Sequence, residues 1–297
     1  MKAKSLVFSF LILFILIVAG ASQAAMVQSS DGAIIYYESK GTGSPILFIH
    51  GWTMSGKLWD KQVDKLSQNY QVIRMDLRAH GNSSKVLHGH TIPQYARDVM
   101  AVINDLRLKK VTLVGWSLGG PVVLEFWKQF GASRINALGL VDMTPFPFSP
   151  ADWNAHGLKN YNFDGMNNAF VSLQDNRKAF AERFINNMFK SAAAPKEDME
   201  WIMKETLKTP TPIAVAIYSD FLMRDYTGVL NRISVPTIIF SGDSNIFKGT
   251  KTMKYVHTQI SGSTFVSFDK SGHMPFYEEP EKFNNALLDF LKAIKNR

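Results

Sequence analysis

The sequence contains no cysteine. That excludes a disulfide framework, a metal–thiolate site and a thiol for lipid attachment. Low-complexity linkers and internal repeats are also missing, and the lysines are scattered rather than gathered into a basic run. The formal net charge of +8 therefore reads as a solvated surface with mild attraction for anionic surfaces, and no nucleic-acid partner is expected. Strand patterns are absent between Thr144 and about Asn231.

What is present begins with a leader. MKAK gives a positive start, Leu6–Gly20 is almost wholly apolar, and ASQA at Ala21–Ala24 supplies small residues before a cleavage point. Residues 1–24 are thus expected to be a secretory signal peptide. The alternative is an uncleaved anchor, but a spanning helix needs about 20 apolar residues and this run falls short. Removal of Lys2 and Lys4 takes the formal charge from +8 to +6. Export followed by folding without disulfides fits a bacterial periplasm or exterior, with no stable membrane insertion after cleavage.

Beyond the leader, strand and helix patterns alternate. VQSSDGAIIYYESKG reads as a strand pair turning at Asp31-Gly32, and Pro45–His50 as a short buried strand. A helical pattern over Lys57–Asn69 and a strand over Tyr70–Leu77 follow, then a helical stripe from Tyr95 to Leu106 introduced by Thr91 and Pro93. Val111–Gly115, Leu118–Phe130 and Ile135–Val141 continue as strand, helix and strand. After the gap come strands at Pro236–Ser241 and Thr264–Phe268 and a terminal helix over Pro280–Ile294. Such alternation implies a mainly parallel sheet with helices on both faces. Within the gap, helical patterns recur at Asn167–Leu173, Arg177–Phe189, Lys196–Leu207 and Pro212–Leu222. The expected organisation is a core of residues 25–143 and 232–297, with a helical lid of residues 144–231 inserted after the sixth strand.

The strongest chemical signal is VTLVGWSLGG, Val111–Gly120. It holds G-x-S-x-G, as Gly115-Trp116-Ser117-Leu118-Gly119, between a strand and a helix, the context a nucleophile elbow requires. A serine needs a base. Of seven histidines, His273 in FDKSGHMPF falls on a loop at the carboxyl end of a strand, the edge where ligands gather in α/β sheets. His88, His90, His156 and His257 are read as structural. The loop His50-Gly51-Trp52 follows another strand, so the main-chain N–H groups of Trp52 and Leu118 are the expected oxyanion-hole donors. Loss of one such donor costs about 3–4 kcal/mol. His50 is read as a brace for that loop.

FIHGW, DLRAHGNS at Asp76–Ser83, GWSLGG and SGHMPFYEEPEKF together resemble the α/β-hydrolase superfamily, most nearly its cap-bearing esterase, haloperoxidase-like (perhydrolase) and lactonase branch. The resemblance spans essentially the whole mature chain, the lid least specifically. It implies the α/β-hydrolase fold, a Ser-acid-His triad in that order, an acyl-enzyme mechanism and no cofactor or metal. DLRAHGNS departs from the pattern in having Ala79 where glycine is commoner. Asp76 and Arg78 there are read as loop-bracing.

The acid is less direct. In these enzymes it commonly stands three residues past a glycine after the strand Pro236–Ser241, and in FSGDSNIF that position is Asn245. An amide cannot offset the charge of an imidazolium, and Asp to Asn in serine proteases costs about 10⁴ in kcat. Asp142 in LGLVDMTP is the first choice, an arrangement that resembles the acid placement of haloalkane dehalogenases. Asp243 is the reserve acid, Asn245 or no acid the last option, and a helix cap for the lid remains the structural alternative for Asp142. The aromatics Phe146, Phe148, Trp153, Tyr161, Phe163, Phe170, Phe180 and Phe184 point to an apolar pocket for a small or medium ester or lactone, although half or more are expected simply to pack the lid. Epoxide and haloalkane hydrolysis are disfavoured, because those relatives place aspartate where Ser117 stands. A receptor with weak or no turnover and a cofactor-free perhydrolase are the rival readings.

Overall fold

A computed structural model describes residues 22–159 and 163–295. The leader expected at residues 1–24 lies outside them except for its last three residues. Of these, Gln23 and Ala24 open the first strand, opposite Ser39 and Glu38. Among the described residues no helix is long and apolar enough to cross a membrane.

The chain begins with strands β1 (Gln23–Gln28), β2 (Ile34–Lys40) and β3 (Ser44–Ile49). The expected helix over Lys57–Asn69 is in fact a 3₁₀ turn, Gly56–Trp59, followed by α1 (Asp60–Leu66). Then come β4 (Tyr70–Met75), α2 (Ile92–Asp105), β5 (Val111–Trp116), α3 (Gly119–Phe130) and β6 (Ile135–Val141). Thr91 caps α2 by accepting a hydrogen bond from the Gln94 N–H at 3.4 Å, with Pro93 in the first turn where its missing N–H costs nothing. Between β6 and β7 the described residues form α4 (Phe163–Asp175), α5 (Arg177–Met188), α6 (Lys196–Leu207), α7 (Thr211–Leu222) and the short α8 (Thr227–Leu230). The chain closes with β7 (Thr237–Ser241), α9 (Lys251–Gln259), β8 (Thr264–Ser267), the short α10 (Pro275–Glu278) and α11 (Pro280–Lys295).

The eight strands form one sheet in the order β1-β2-β4-β3-β5-β6-β7-β8. Strands β3 to β8 run parallel, and β1 and β2 are antiparallel. The central strand β5, VTLVGW, is buried along its whole length, as a parallel strand covered on both faces must be. On one face Val99, Val102, Leu124 and Phe126 of α2 and α3 pack on Leu47, Leu113 and Leu138. On the other, Trp59, Phe283 and Leu287 pack on Phe48, Val114 and Phe240. The inserted helices join both layers, through Ala214 and Ile217 on one side and Ile185, Met188 and Ile202 on the other.

The turn after β4 is built around charge. Arg78 is fully buried, and its guanidinium donates two bonds of 2.6 Å to Asp98 on α2 and bonds of 2.7 and 3.0 Å to Asp31. Hydrogen bonding to Arg78 pulls the Asp31 carboxyl down to about 2. Asp76 receives the N–H groups of Gly56 and Asn82 at 2.7 and 2.6 Å. Ala79 has φ of +60°, the left-handed region where a Cβ is disfavoured, which accounts for the commoner glycine at this position. His50 ties this turn to the loop after β3. Its Nδ1 donates to the Gly51 carbonyl at 2.7 Å and its Nε2 accepts the Leu77 N–H at 3.0 Å. Burial pushes the His50 imidazole down to about 4 and lowers neighbouring His80 and His90 as well.

Two outcomes follow from these buried charges and imidazoles. Arg78→Met leaves Asp98 buried beside no cation, so unfolding free energy from urea melts is expected to drop by about 3–5 kcal/mol; a loss below about 1 kcal/mol would contradict this account. The depressed His50 value means that the unfolded chain takes up a proton below about 6.5 while the folded chain does not until about 4. Its stability contribution is complete above that window and lost as pH falls through it, about 3 kcal/mol by its lower end. Urea midpoints measured from pH 7 to pH 4 should fall more steeply for the wild type than for His50→Gln. Parallel slopes would refute it.

Candidate active site

The catalytic candidates follow the carboxyl ends of three parallel strands, β5, β6 and β8. Ser117 follows β5 directly and has φ of +54°, a strained value for a serine. The turn is held by the Ser117 N–H on the Val141 carbonyl and the Gly120 N–H on the Ser117 carbonyl, each at 3.0 Å. A Cβ on Gly115 would sit 2.2 Å from the Gly119 carbonyl oxygen, and one on Gly119 would sit 2.4 Å from that of Ile49. No side chain fits either gap, which is why both glycines of the G-x-S-x-G pattern are needed.

Asp142 stands at the end of β6, fully buried, with φ of +39°. Its Oδ2 lies 2.7 Å from Nδ1 of His273. Its Oδ1 accepts the Gly242 N–H at 3.1 Å, and the Ser244 hydroxyl reaches Oδ2 at 3.5 Å. Burial pushes the Asp142 carboxyl up, and hydrogen bonding to His273 opposes that push most strongly among its partners. A carboxylate enclosed in this way needs a donor set, and it has one.

His273 is held through both its main-chain groups and its ring. Its N–H donates to the Met188 carbonyl at 2.7 Å and its carbonyl accepts the Trp116 Nε1–H at 2.8 Å. Trp116 and Phe247 flank the imidazole at 5.3 and 5.6 Å. Glu278 receives the Gly272 N–H at 2.6 Å and the Lys190 N–H at 3.0 Å, while Glu279 accepts from the Ser271 hydroxyl. The histidine loop is therefore fixed jointly by the terminal segment and by the end of α5. With Nδ1 engaged by Asp142, the buried Nε2 has no hydrogen-bond partner among the described residues. His273 and Ser117 line the same cavity.

The reserve acid is elsewhere. Asp243 turns to the surface, where its carboxylate meets Lys190 Nζ at 2.5 Å, and its N–H is spent on the Ser271 carbonyl. It makes no hydrogen bond or ion pair with His273. The chain leaves the end of β7 with Gly242 facing Asp142, and the next side chain points outward. Asn245 lines the cavity without hydrogen-bonding to His273.

The main-chain N–H groups of Trp52 and Leu118 donate to no protein acceptor among the described residues. Both residues line the cavity. The Trp52 indole is pinned by its Nε1–H on the Ala214 carbonyl at 3.0 Å and packs against Tyr218, Phe184 and Phe180, with ring centroids 5.0, 5.3 and 6.0 Å away. The cavity measures about 260 Å³ and is walled mainly by apolar side chains, including Met143, Phe221, Ile246 and Phe247. Of the aromatics singled out in the sequence, Phe180 and Phe184 reach it. Trp153 instead stacks on Tyr255 at 4.3 Å, Phe163 is exposed, Phe170 packs on Tyr218, and Phe146 and Phe148 are half-buried outside the lining. Tyr161 lies outside the described residues.

Several residues of the site escaped the sequence reading. Tyr218, Phe221 and Phe247 occupy helix or loop positions whose patterns carry no chemical signal, and Glu278 and Glu279 stand just before the expected terminal helix with nothing to mark them as anchors of the histidine loop. His156, read as structural, lines the cavity.

Residues 44–280 match the family model described as alpha/beta hydrolase fold. The chain is 36% identical over 257 residues, 84% of its own length and 90% of the relative's, to a non-heme haloperoxidase of Rhodococcus erythropolis. Among solved structures it is similar to a bromoperoxidase from Bacillus anthracis, with TM-score 0.83, 26% identity and coverage of 91% of this chain and 100% of that one. An esterase from Exiguobacterium antarcticum gives TM-score 0.82 at the same 26% identity, again covering 91% of this chain and 100% of the other. With the family model matched over most of the chain, and the sheet order and serine elbow already in place, the protein belongs to the α/β-hydrolase family and is an enzyme.

Proposed function

We propose that this enzyme is an exported serine esterase that cleaves small, apolar carboxylic esters or lactones through an acyl-enzyme on Ser117. The observation that carries the reading is the 2.7 Å contact between Asp142 and His273 Nδ1, with Nε2 unpartnered among the described residues and His273 lining the same cavity as Ser117. Asp142 holds the tautomer in which Nδ1 carries the proton, so Nε2 is free to take the Ser117 hydroxyl proton as the oxygen attacks the ester carbonyl. The Trp52 and Leu118 N–H groups receive the charge that develops on the carbonyl oxygen. His273 returns its proton to the leaving alkoxide, and the alcohol departs. A water then gives its proton to Nε2 and attacks the acyl-enzyme, releasing the acid and restoring Ser117.

Names among the relatives favour one second reading. Beside the haloperoxidase, a protein of Acinetobacter calcoaceticus named bifunctional esterase/perhydrolase is 28% identical over 284 residues. Hydrogen peroxide in place of water at the acyl-enzyme would give a peracid and regenerate Ser117, with no change in the residues used.

The test is kinetic, on p-nitrophenyl butanoate. Ser117→Ala should fall to background, and Asp142→Asn should lose about 10³–10⁴ in kcat through the wrong tautomer of His273. Asp243→Asn should stay within about threefold of the wild type, since an exposed ion pair contributes little. Near-normal turnover in Asp142→Asn, or a crippled Asp243→Asn, would overturn the assignment of the acid.

A further inference from the structure

The cavity of Ser117 and His273 holds a second imidazole that the esterase mechanism does not use. His156 is held by its backbone, by its ring nitrogen and by an aromatic neighbour. The chain around it zips to the loop after β7, with the Gly157 N–H on the Ile246 carbonyl at 2.9 Å and the Lys248 N–H on the Ala155 carbonyl at 3.2 Å. Its own N–H donates to Asn154 Oδ1 at 3.0 Å. Its Nδ1 accepts the Leu158 N–H at 3.0 Å, which places the ring proton on Nε2. Phe247 meets the ring edge-on at 4.7 Å, and the same Phe247 lies against His273 at 5.6 Å. One aromatic ring is therefore a neighbour of both imidazoles. Burial, and then the nearness of His273, pull His156 down to about 3, so it is neutral wherever an esterase works. The outcome is a rigid, uncharged N–H donor with no protein acceptor among the described residues, in a cavity that is otherwise mainly apolar. Asn245, on the same loop as Phe247, also lines the cavity and has no hydrogen-bond partner among the described residues.

The two walls of the cavity differ in chemistry. Trp52, whose N–H faces the developing oxyanion in the proposed mechanism, is backed by Phe180, Phe184 and Tyr218. His273 must deliver its proton to the leaving oxygen, so the alcohol part of a bound ester lies on the His273 side, with Phe247, Asn245 and His156. Resting on the serine-esterase reading, we propose that His156 Nε2–H is the donor of a binding subsite for a second oxygen acceptor on the alcohol part of the ester. The preferred substrates then join an apolar acyl group to an alkoxy- or oxo-substituted alcohol.

The test compares three esters of one acid and nearly equal length, pentyl, 2-ethoxyethyl and 4-oxopentyl butanoate, with hydrolysis followed by pH-stat on the full chain. Expressing each variant's preference relative to the wild type cancels the intrinsic reactivity of the esters. His156→Asn keeps an acceptor where Nδ1 stands, and so keeps the Leu158 bond, but has no donor at the Nε2 position. Its preference for the oxygenated esters should fall about three- to tenfold, mainly through KM, with pentyl butanoate changed less than about twofold. His156→Gln carries an amide N–H near the Nε2 position and should retain most of the preference. Equal losses on all three esters would overturn the proposal, as would a preference that survives in His156→Asn and vanishes in His156→Gln. Failure of the underlying reading shows separately, as turnover of pentyl butanoate that persists in Ser117→Ala.

Discussion

A single hydrogen bond, Asp142 to His273 Nδ1 at 2.7 Å, joins segments 131 residues apart. It closes the proposed active site across the inserted helices. Each end is prepared by burial. Asp142 is enclosed at the tip of β6 and would be costly there as an unpaired charge, so the imidazole is a structural partner as well as the proposed base. His273 in turn depends on Trp116 from the strand before the serine and on Met188 from α5. Core and inserted helices thus converge on one ring, and α5 is part of its mounting rather than a loose cover.

That arrangement assigns a role to the loop FSGDSNIF. In the commoner pattern this loop would supply the acid. Here Gly242 donates its N–H to Asp142, Ser244 reaches the same carboxylate, Asp243 pairs with Lys190 at the surface, and Asn245, Ile246 and Phe247 line the cavity. With Asp142 at the end of β6 as the proposed acid, the loop binds that carboxylate through Gly242 and Ser244 and lines the cavity through Asn245, Ile246 and Phe247. The same loop carries Phe247, which packs against both imidazoles of the cavity.

The parts legible in the sequence were those set by local rules. Gly115 and Gly119 are demanded by atoms 2.2–2.4 Å from where a side chain would begin, so the elbow is written into its own few residues. The apolar strand β5 and the capped start of α2 are of the same kind. Lys251–Gln259, by contrast, forms a helix from a largely polar stretch whose stability comes from burying Met253 and Val256, a tertiary effect with little local signal. His156 illustrates the other limit. Nothing near it in the sequence distinguishes it from a structural histidine. Its place in the cavity depends on a backbone pairing with Phe247, some ninety residues away.

In the proposed mechanism Ser117 is a nucleophile activated through His273 by Asp142. Intact-protein mass spectrometry after exposure to a fluorophosphonate measures this most directly. The account predicts one adduct per chain, mapped to Ser117, formed quickly in the wild type, much more slowly in Asp142→Asn and not at all in Ser117→Ala. An unlabelled wild type, an adduct on another residue, or a wild-type labelling rate in Asp142→Asn would contradict it.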